Sequence, residues 1–364
     1  MNLSDISSRY QTILITGGAG FVGSNLALSF KEKDPGLNII TLDNLKRRGS
    51  ELNISRLKDN DITFIHGDVR NKEDVEFNDS NIDLIIECSA EPSVLAGYNS
   101  SPEYVVNSNL NGAISCLEAA RKHKADFIFL STSRVYPIET INKLNFLEDE
   151  TRYSLSGIQS IPGISDKGIS EKFPLAGPRS MYGATKLAAE LIALEYENMY
   201  GIKTIINRCG VISGPWQMGK VDQGVFSLWM AAHYFKKSLK YIGFNGSGKQ
   251  VRDLLHISDL FDLIDVQLKH IDVCSGKIFN VGGGLPCSLS LLETTSLCQE
   301  ISGNTIQIEK AVEDRPADLK YYVSDYSEIE KLVNWQPRKN PGDILSDIWN
   351  WMRENESILK NIFA

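Results

Sequence analysis

The stretch TILITGGAGFVGSNLA, residues 12–27, decides the fold. TILIT is a short run of aliphatic and β-branched side chains, the composition of a strand buried on both faces. Gly17, Gly20 and Gly23 follow at three-residue spacing, and Phe21 and Val22 open a helical pattern over 21–33. Glycine allows the tight turn and lets the main chain approach a ligand closely. The helix start behind it offers free N–H donors and the positive end of the helix dipole. Strand, glycine turn and helix start, in that order, predict a pyrophosphate site lined by Gly17, Gly20, Phe21, Val22 and Gly23.

The same rhythm continues outward. NIITLD (38–43), ITFIHGD (62–68), DLIIECSA (83–90) and FIFLSTS (127–133) read as further buried strands, with helical patterns such as 104–123 between them. Such alternation implies right-handed crossovers and a parallel sheet covered on both faces, an α/β Rossmann-type doubly wound fold. IKTIINRCGVISGP (202–215) predicts a sixth strand, stopped by Gly214-Pro215. Residues 1–215 are expected to form the dinucleotide-binding Rossmann domain. Residues 216–364 are expected to form mainly a smaller substrate-binding domain, with some segments returning to the first. The polar stretch 138–180 is long for a connection and is expected to be a lid beside the site.

Asp43 ends the second strand, twenty residues after Gly23. A carboxylate there can accept hydrogen bonds from both ribose hydroxyls of NAD and repels the added phosphate of NADP. Arg47 and Arg48 oppose that preference, but Asp43 holds the better-defined position, so NAD is the expected cofactor. Asn44 and Arg47 beside it, Asp68 and Val69 after the third strand, and Ser89 and Ala90 after the fourth complete the expected cofactor lining.

Composition narrows the function classes. Hydrophobic residues are 42% and charged residues 23% of the 364, enough for a buried core. The net charge of −8 argues against non-specific nucleic-acid binding. No run of eighteen apolar residues suggests a membrane span. The opening MNLSDISSRYQT lacks the basic start and apolar centre of a signal peptide. The six cysteines form no C-x-x-C, so no metal is expected. They read as reduced core residues of a cytoplasmic protein. His233 and His256 have no partner in the pattern and read as structural.

SMYGATKLAAE, residues 180–190, places Tyr182 and Lys186 one helical turn apart. A phenol beside a cation can serve as an acid and base, although the pair alone is a common coincidence. TGGAGFVG together with YGATK resembles the extended short-chain dehydrogenase/reductase family, which includes nucleotide-sugar epimerases and dehydratases. The resemblance covers nearly the whole chain, with the motifs in order. It implies that Tyr182 accepts and returns a proton and that Lys186 holds the nicotinamide ribose and lowers the phenol pKa. It also implies that Thr132, in STSRVYP, hydrogen-bonds the reacting oxygen. Asn109, in NSNLNGA, matches the family's helix Asn; a helix-kink hydrogen bond explains it equally well.

Dehydratases of that family carry Asp-Glu after the Thr, whereas this chain has Ser133-Arg134. Elimination is therefore not expected, and hydride removal and return is. NLKRRGSELN, STSRVYP, GPWQMGKVDQG and GKQVRDLLHISDL together resemble the CDP-paratose 2-epimerase branch, QMGKVDQG most distinctively. The resemblance implies a nucleotide-diphosphate sugar, a CDP-sugar by preference, held by Arg134, Arg208, Gln217, Met218, Lys220, Gln223, Arg252 and Arg315. Guanidinium forks at Arg252 and Arg315 suit the diphosphate. Many relatives carry Asn at the strand end after the Tyr-Lys helix, where RCGVISGP places Gly210. A UDP-sugar 4-epimerase and a non-catalytic dinucleotide sensor or scaffold both remain open. A homo-oligomer is expected, paired through the helices at 104–123 and 183–199.

Overall fold

The computed structural model describes residues 6–77, 81–311, 313 and 315–363; the first residues of the MNLSDISSRYQT stretch lie outside them. The principal elements run in chain order as β1 (Thr12–Thr16), α1 (Phe21–Lys33), β2 (Asn38–Asp43), β3 (Thr63–His66), β4 (Leu84–Glu87), α2 (Gly112–His123), β5 (Asp126–Thr132), α3 (Met181–Tyr200), β6 (Thr204–Cys209), β7 (Val211–Ser213), α4 (Val225–Tyr234), β8 (Val251–His256), α5 (Ile257–Lys269), β9 (Lys277–Val281), β10 (Ser288–Ser290), α6 (Leu291–Ser302), β11 (Tyr321–Tyr322) and α7 (Pro341–Glu354).

Seven parallel strands form the main sheet in the order β9-β6-β5-β4-β1-β2-β3. The period of two in each strand sorts its side chains between two cores. Ile13, Ile15, Ile128 and Ile205 face one core with Leu26 and Phe30 of α1 and Leu260 and Ile264 of α5. Leu14, Ile40, Phe127, Phe129 and Ile206 face the other with Ala113 and Leu117 of α2 and Ala189 and Ala193 of α3. Burial on both faces explains why the strands read as continuous apolar runs rather than alternating ones. Strand order reverses between β1 and β4, which opens a crevice beyond their carboxyl ends.

Around β8 a second sheet forms, with β7 and β11 parallel to it and β10 antiparallel. α4, α6 and α7 cover it through Phe226, Trp229, Cys298, Ile344 and Ile348. The single strand expected over 202–215 is corrected here, because the chain changes sheets at Gly210. The Gly210 N–H donates to the Val281 carbonyl at 2.7 Å. A Cβ at Gly210 would stand 3.0 Å from Asp253 Oδ1, so the crossing is a close approach between the two sheets. Beyond residue 216, α5 and β9 rejoin the main sheet.

The stretch 138–180 is also corrected: it is a packed substructure rather than an open lid. Val135, Tyr136, Ile141, Ile169 and Phe173 close a small core with Leu319 and Tyr322. Two short antiparallel pairs, Phe146–Glu148 with Tyr153–Leu155 and Ile164–Ser165 with Gly168–Ile169, give its backbone partners. The Ile169 N–H donates to the Val323 carbonyl at 2.8 Å, tying it to the second sheet.

Helix α3 starts where Ser180 accepts the Gly183 N–H at 3.2 Å and ends at Gly201, whose φ of +70° suits glycine. Along its inner face, Glu190 pairs with Arg208 of β6 at 2.7 Å, and both side chains are buried. Glu190 also accepts the Ser131 hydroxyl of β5. Removing one partner of such a pair strands the other charge in a medium that solvates it poorly. Glu190→Ala should therefore lower the unfolding free energy by about 3–5 kcal/mol. Urea denaturation followed by circular dichroism measures it; a loss below about 1 kcal/mol, the range of exposed pairs, would show that the pair does not hold α3 to the sheet.

Candidate active site

At the crevice, the glycine turn has the shape its spacing implies. Gly17 has φ +63°, and a Cβ there would sit 2.8 Å from the Cys88 carbonyl oxygen. A Cβ at Gly23 would sit 2.3 Å from the Gly17 carbonyl oxygen, so turn and helix touch backbone to backbone. Gly20 differs. A Cβ there would meet only the Gly17 carbonyl oxygen, at 3.1 Å, and its other sides are open. Gly20 caps α1 without any side-chain hydrogen bond, so the first N–H groups of α1, at Phe21 and Val22, are not capped by its side chain. An open cradle at a free helix N-terminus fits a dinucleotide pyrophosphate.

Asp43 stands at the end of β2 as expected. Its Oδ2 accepts the Ala19 N–H at 3.1 Å and its Oδ1 accepts the Leu45 N–H at 2.8 Å. A carboxylate has about four acceptor sites, so capacity remains for ribose hydroxyls. Burial pushes its pKa above the usual carboxylate value, and the backbone donors oppose that. Asp68 is gripped by Arg70, Nε at 2.9 Å and Nη2 at 2.6 Å, and by Asn44 Nδ2 at 2.9 Å. The Arg70 bonds hold its carboxyl well below the usual range. Val69 is buried against Gly112. Ser89 and Ala90 follow β4 into the crevice-side loop.

Asn109 lies in a π-helical turn, Asn107–Asn111, and its amide clamps that loop. Its Oδ1 accepts the Glu91 N–H at 2.7 Å, and its Nδ2 donates to the Glu91 carbonyl at 3.1 Å and to Thr185 at 3.3 Å. The buried amide holds the loop after β4 against α3. Arg47 is already engaged: it donates to Gln223 Oε1 and, at 2.6 Å, to the Met218 carbonyl. Arg48 donates to the Asn361 carbonyl. Both guanidiniums that could have served a 2′-phosphate are thus engaged elsewhere.

At the chemical end, the Thr132 hydroxyl lies near enough to the Tyr182 phenol to favour its ionised form. Burial pushes that phenol up to about 12, while Thr132 and the Arg134 charge pull it down. Thr132 also caps the short turn Ser133–Val135, accepting the Arg134 N–H at 3.2 Å. The Lys186 ammonium bonds Glu87 Oε2 at 3.2 Å and lies 3.9 Å from the Phe129 ring centroid. Both Lys186 and Glu87 are buried. Sequence reasoning missed Glu87. Its signal was present: a carboxylate inside LIIECSA, an otherwise apolar strand ending at the switch point.

Of the eight residues expected at the substrate, three come together. Arg134 donates to the Ala317 carbonyl at 2.8 Å, Arg252 pairs with Asp318 at 3.0 Å, and Arg315 donates to the Val221 carbonyl at 3.1 Å. Burial, then the neighbouring Arg252 cation, pushes Arg134 down to about 10. Burial also lowers Arg252, with Arg315 adding to the effect. The three guanidiniums disfavour one another's charge while Asp318 offsets it, a positive cluster of a kind that suits a diphosphate. Arg208 is not among them: its guanidinium is spent on Glu190 and the Tyr136 hydroxyl, inside the protein. Gln217 bonds the Ile212 carbonyl and Ser227, and Met218 packs into the core under α4 and α7. Lys220 and Gln223 face each other across a two-bond turn. His233 and His256 bond the Trp229 carbonyl and Ser258, in keeping with structural roles.

Comparison with known proteins shows the family. Residues 13–282 match the NAD dependent epimerase/dehydratase family. The chain is 31% identical to CDP-paratose 2-epimerase of Salmonella typhi, over 93% of this chain and 98% of that one. It is 28% identical to dTDP-glucose 4,6-dehydratase of Actinoplanes sp., over 95% of this chain and 98% of that one. A structure of UDP-glucuronic acid 4-epimerase from Bacillus cereus, in complex with UDP-glucuronic acid and NAD, superposes with a TM-score of 0.77 at 25% identity, covering 94% of this chain and 99% of that one. The chain belongs to the NAD dependent epimerase/dehydratase family.

Asp43 is the residue expected to decide between NAD and NADP, through ribose hydrogen bonds and repulsion of a 2′-phosphate. Removing its carboxylate deletes charged hydrogen bonds to the ribose and the repulsion of a 2′-phosphate. Asp43→Ala should weaken NAD binding by about ten- to a hundredfold and narrow the preference over NADP. Titration of apo-protein with each dinucleotide measures both; an unchanged ratio would remove Asp43 from the discrimination.

Proposed function

We propose that this protein is a nucleotide-diphosphate-sugar epimerase that inverts C2 of a CDP-sugar, as in the conversion of CDP-paratose to CDP-tyvelose. One observation carries the epimerase reading. Tyr182 lies near Thr132 and one turn before Lys186, whose partner Glu87 ends the strand beside β1, while Ser133 and Arg134 occupy the positions where dehydratases of the family carry an acid pair. The remaining carboxylate near the phenol, Glu87, is committed to Lys186.

Bound NAD would supply a hydride acceptor and donor. The chain's own residues do the rest. Gly17, Gly20 and Gly23 leave room for the pyrophosphate, and Asp43 holds the adenosine ribose. Thr132 orients the sugar hydroxyl toward Tyr182. In its ionised form, which Thr132 and the Arg134 charge favour against burial, Tyr182 would take the hydroxyl proton as the C2 hydride leaves, and a ketone would form. The keto sugar turns in the pocket, the hydride returns to the opposite face, and Tyr182 gives the proton back to the oxygen. No net redox change results. Arg134, Arg252 and Arg315 hold the diphosphate while the sugar turns.

The CDP preference draws support from the 217–224 segment and from the Salmonella typhi relative. A 4-epimerase on a UDP-sugar is the competing reading, because the Tyr-Lys-Thr set does not select the carbon. Leu191, Met199 and Tyr200 are exposed apolar residues on α3, which supports pairing of two copies there. Six unpaired cysteines, five of them buried, support a reducing compartment such as the cytoplasm.

Tyr182→Phe keeps the ring and removes the ionisable oxygen. Turnover should fall a hundredfold or more with NAD affinity intact. Turnover near the parent rate would make Tyr182 structural.

A substrate deuterated at C2 tests the reaction class. Hydride out-and-back at one carbon should leave deuterium at C2 of the epimer in ordinary water. Washout of the label, or a product lighter by one water, would sink the proposed chemistry. Retention at C2 with inversion at C4 would transfer the assignment to a 4-epimerase.

A further inference from the structure

Segment 214–224 lies between β7 and α4, yet helices and loops of the main-sheet half hold it along its length. At its start, Asn25 Nδ2 of α1 donates to the Pro215 carbonyl at 3.2 Å. The Arg56 guanidinium stacks 4.0 Å from the Trp216 ring centroid. In the middle, Arg47 donates to the Met218 carbonyl at 2.6 Å and to Gln223 Oε1. Ser93 donates to Asp222 Oδ2 at 2.5 Å.

Arg47 and Ser93 lie on opposite sides of β1. Arg47 follows β2 by four residues, Ser93 follows β4 by six, and β2 and β4 are the two neighbours of β1 in the sheet. A chain tied to both loops at once must cross in front of β1, over the glycine turn. Its far edge reaches the positive pocket, since Arg315 Nη2 donates to the Val221 carbonyl at 3.1 Å. Conformations that glycine favours mark both ends, Gly214 at φ +154° and Gly224 at φ +68°, and Trp216 holds φ +70° between them. A bulky residue at positive φ is strained and persists only where its surroundings enforce it.

We infer that residues 214–224 form a strap that lies over the bound dinucleotide and keeps it on the protein through a turnover, latched by Ser93–Asp222 and by Arg47 on Gln223 and Met218. The inference rests on the glycine turn as the dinucleotide site and is independent of which sugar, or which carbon, is acted on. Retention is what out-and-back hydride chemistry requires: a reduced cofactor that escaped would strand the keto sugar and leave the enzyme unable to finish. Asp222 and Glu91 flank Arg47 with negative charge, so the latch is held by charge as well as by hydrogen bonds. Its tie to Arg315 places one element against both the cofactor crevice and the diphosphate pocket.

Release of NADH from the holoprotein tests this without any substrate. Protein loaded with NADH is mixed with excess NAD, and the decay of bound NADH fluorescence gives the dissociation rate. Asp222→Ala and Arg47→Ala should each speed release about ten- to a hundredfold, the effect of losing a charged hydrogen bond. A Ser93→Cys, Asp222→Cys double variant provides the converse: oxidised, it should release NADH more slowly than the parent, and dithiothreitol should reverse this. Release within twofold of the parent in both alanine variants, with no thiol-dependent change in the double variant, would overturn the strap while leaving the epimerase reading intact. Failure of the parent to bind NADH would overturn the dinucleotide site, and the strap with it.

Discussion

Tyr182, Lys186 and Glu190 lie four residues apart on the inner face of α3, and the two charges are each paired into the sheet. Lys186 meets Glu87 of β4, and Glu190 meets Arg208 of β6 and Ser131 of β5. Two consecutive turns are thereby bound to three adjacent strands. Buried ion pairs add little net stability, because desolvation consumes the attraction, but a mispaired buried charge is costly. The pairs therefore act on register. A slip of α3 by one turn would leave two ammonium or guanidinium groups and two carboxylates unpaired in the core. Tyr182, one turn before Lys186, inherits this register, which sets its phenol near Thr132 at the end of β5.

The same pairing shapes the electrostatics of the phenol. Of the Lys186–Glu87 pair it is the Glu87 carboxylate that reaches the phenol, adding to the upward push of burial. Burial pushes the phenol up to about 12, and the groups that pull it down most are Thr132 and Arg134. Arg134 belongs to the pocket assigned to the diphosphate, where burial and its cationic neighbours already disfavour its charge. An anion bound there would relieve that repulsion and reduce the pull of the arginines on the phenol. Substrate binding and the basicity of Tyr182 are in this way electrostatically linked across residues 132–134.

What could be read from the sequence was what short-range physics enforces. Strand, turn and helix start at 12–27 are set by residues in direct contact: Gly17, Gly18 and Gly23 each lack room for a Cβ. The main-sheet strands announced themselves as apolar runs because both their faces are buried. The break at Gly210 was hidden, since it depends on Asp253, distant in sequence. Arg208 was misplaced for a related reason: a buried and an exposed arginine look alike until the partner is known, and Glu190 lies across the sheet boundary in another element. The stretch 138–180 looked like a loop because its core residues, Ile141, Ile169 and Phe173, are widely spaced and find their partners at Leu319 and Tyr322.

Where the chain's specificity resides follows from what these constraints leave free. Register and the glycine turn serve any reaction that begins with hydride removal, so they say little about the product. Position 133 and the side chain at 134 are under no such constraint, because Thr132 caps that turn through a backbone N–H, which any residue but proline supplies. An acid pair at 133 and 134 would support loss of water; a Ser and an Arg there give the pocket a hydroxyl and a third guanidinium instead. The fold would tolerate either. On the reading proposed above, a few residues after Thr132, together with the segment that reaches Arg315 from the other half of the chain, are where a difference in chemistry would be written, on a scaffold whose buried charges are committed to the register of the helix that carries the phenol.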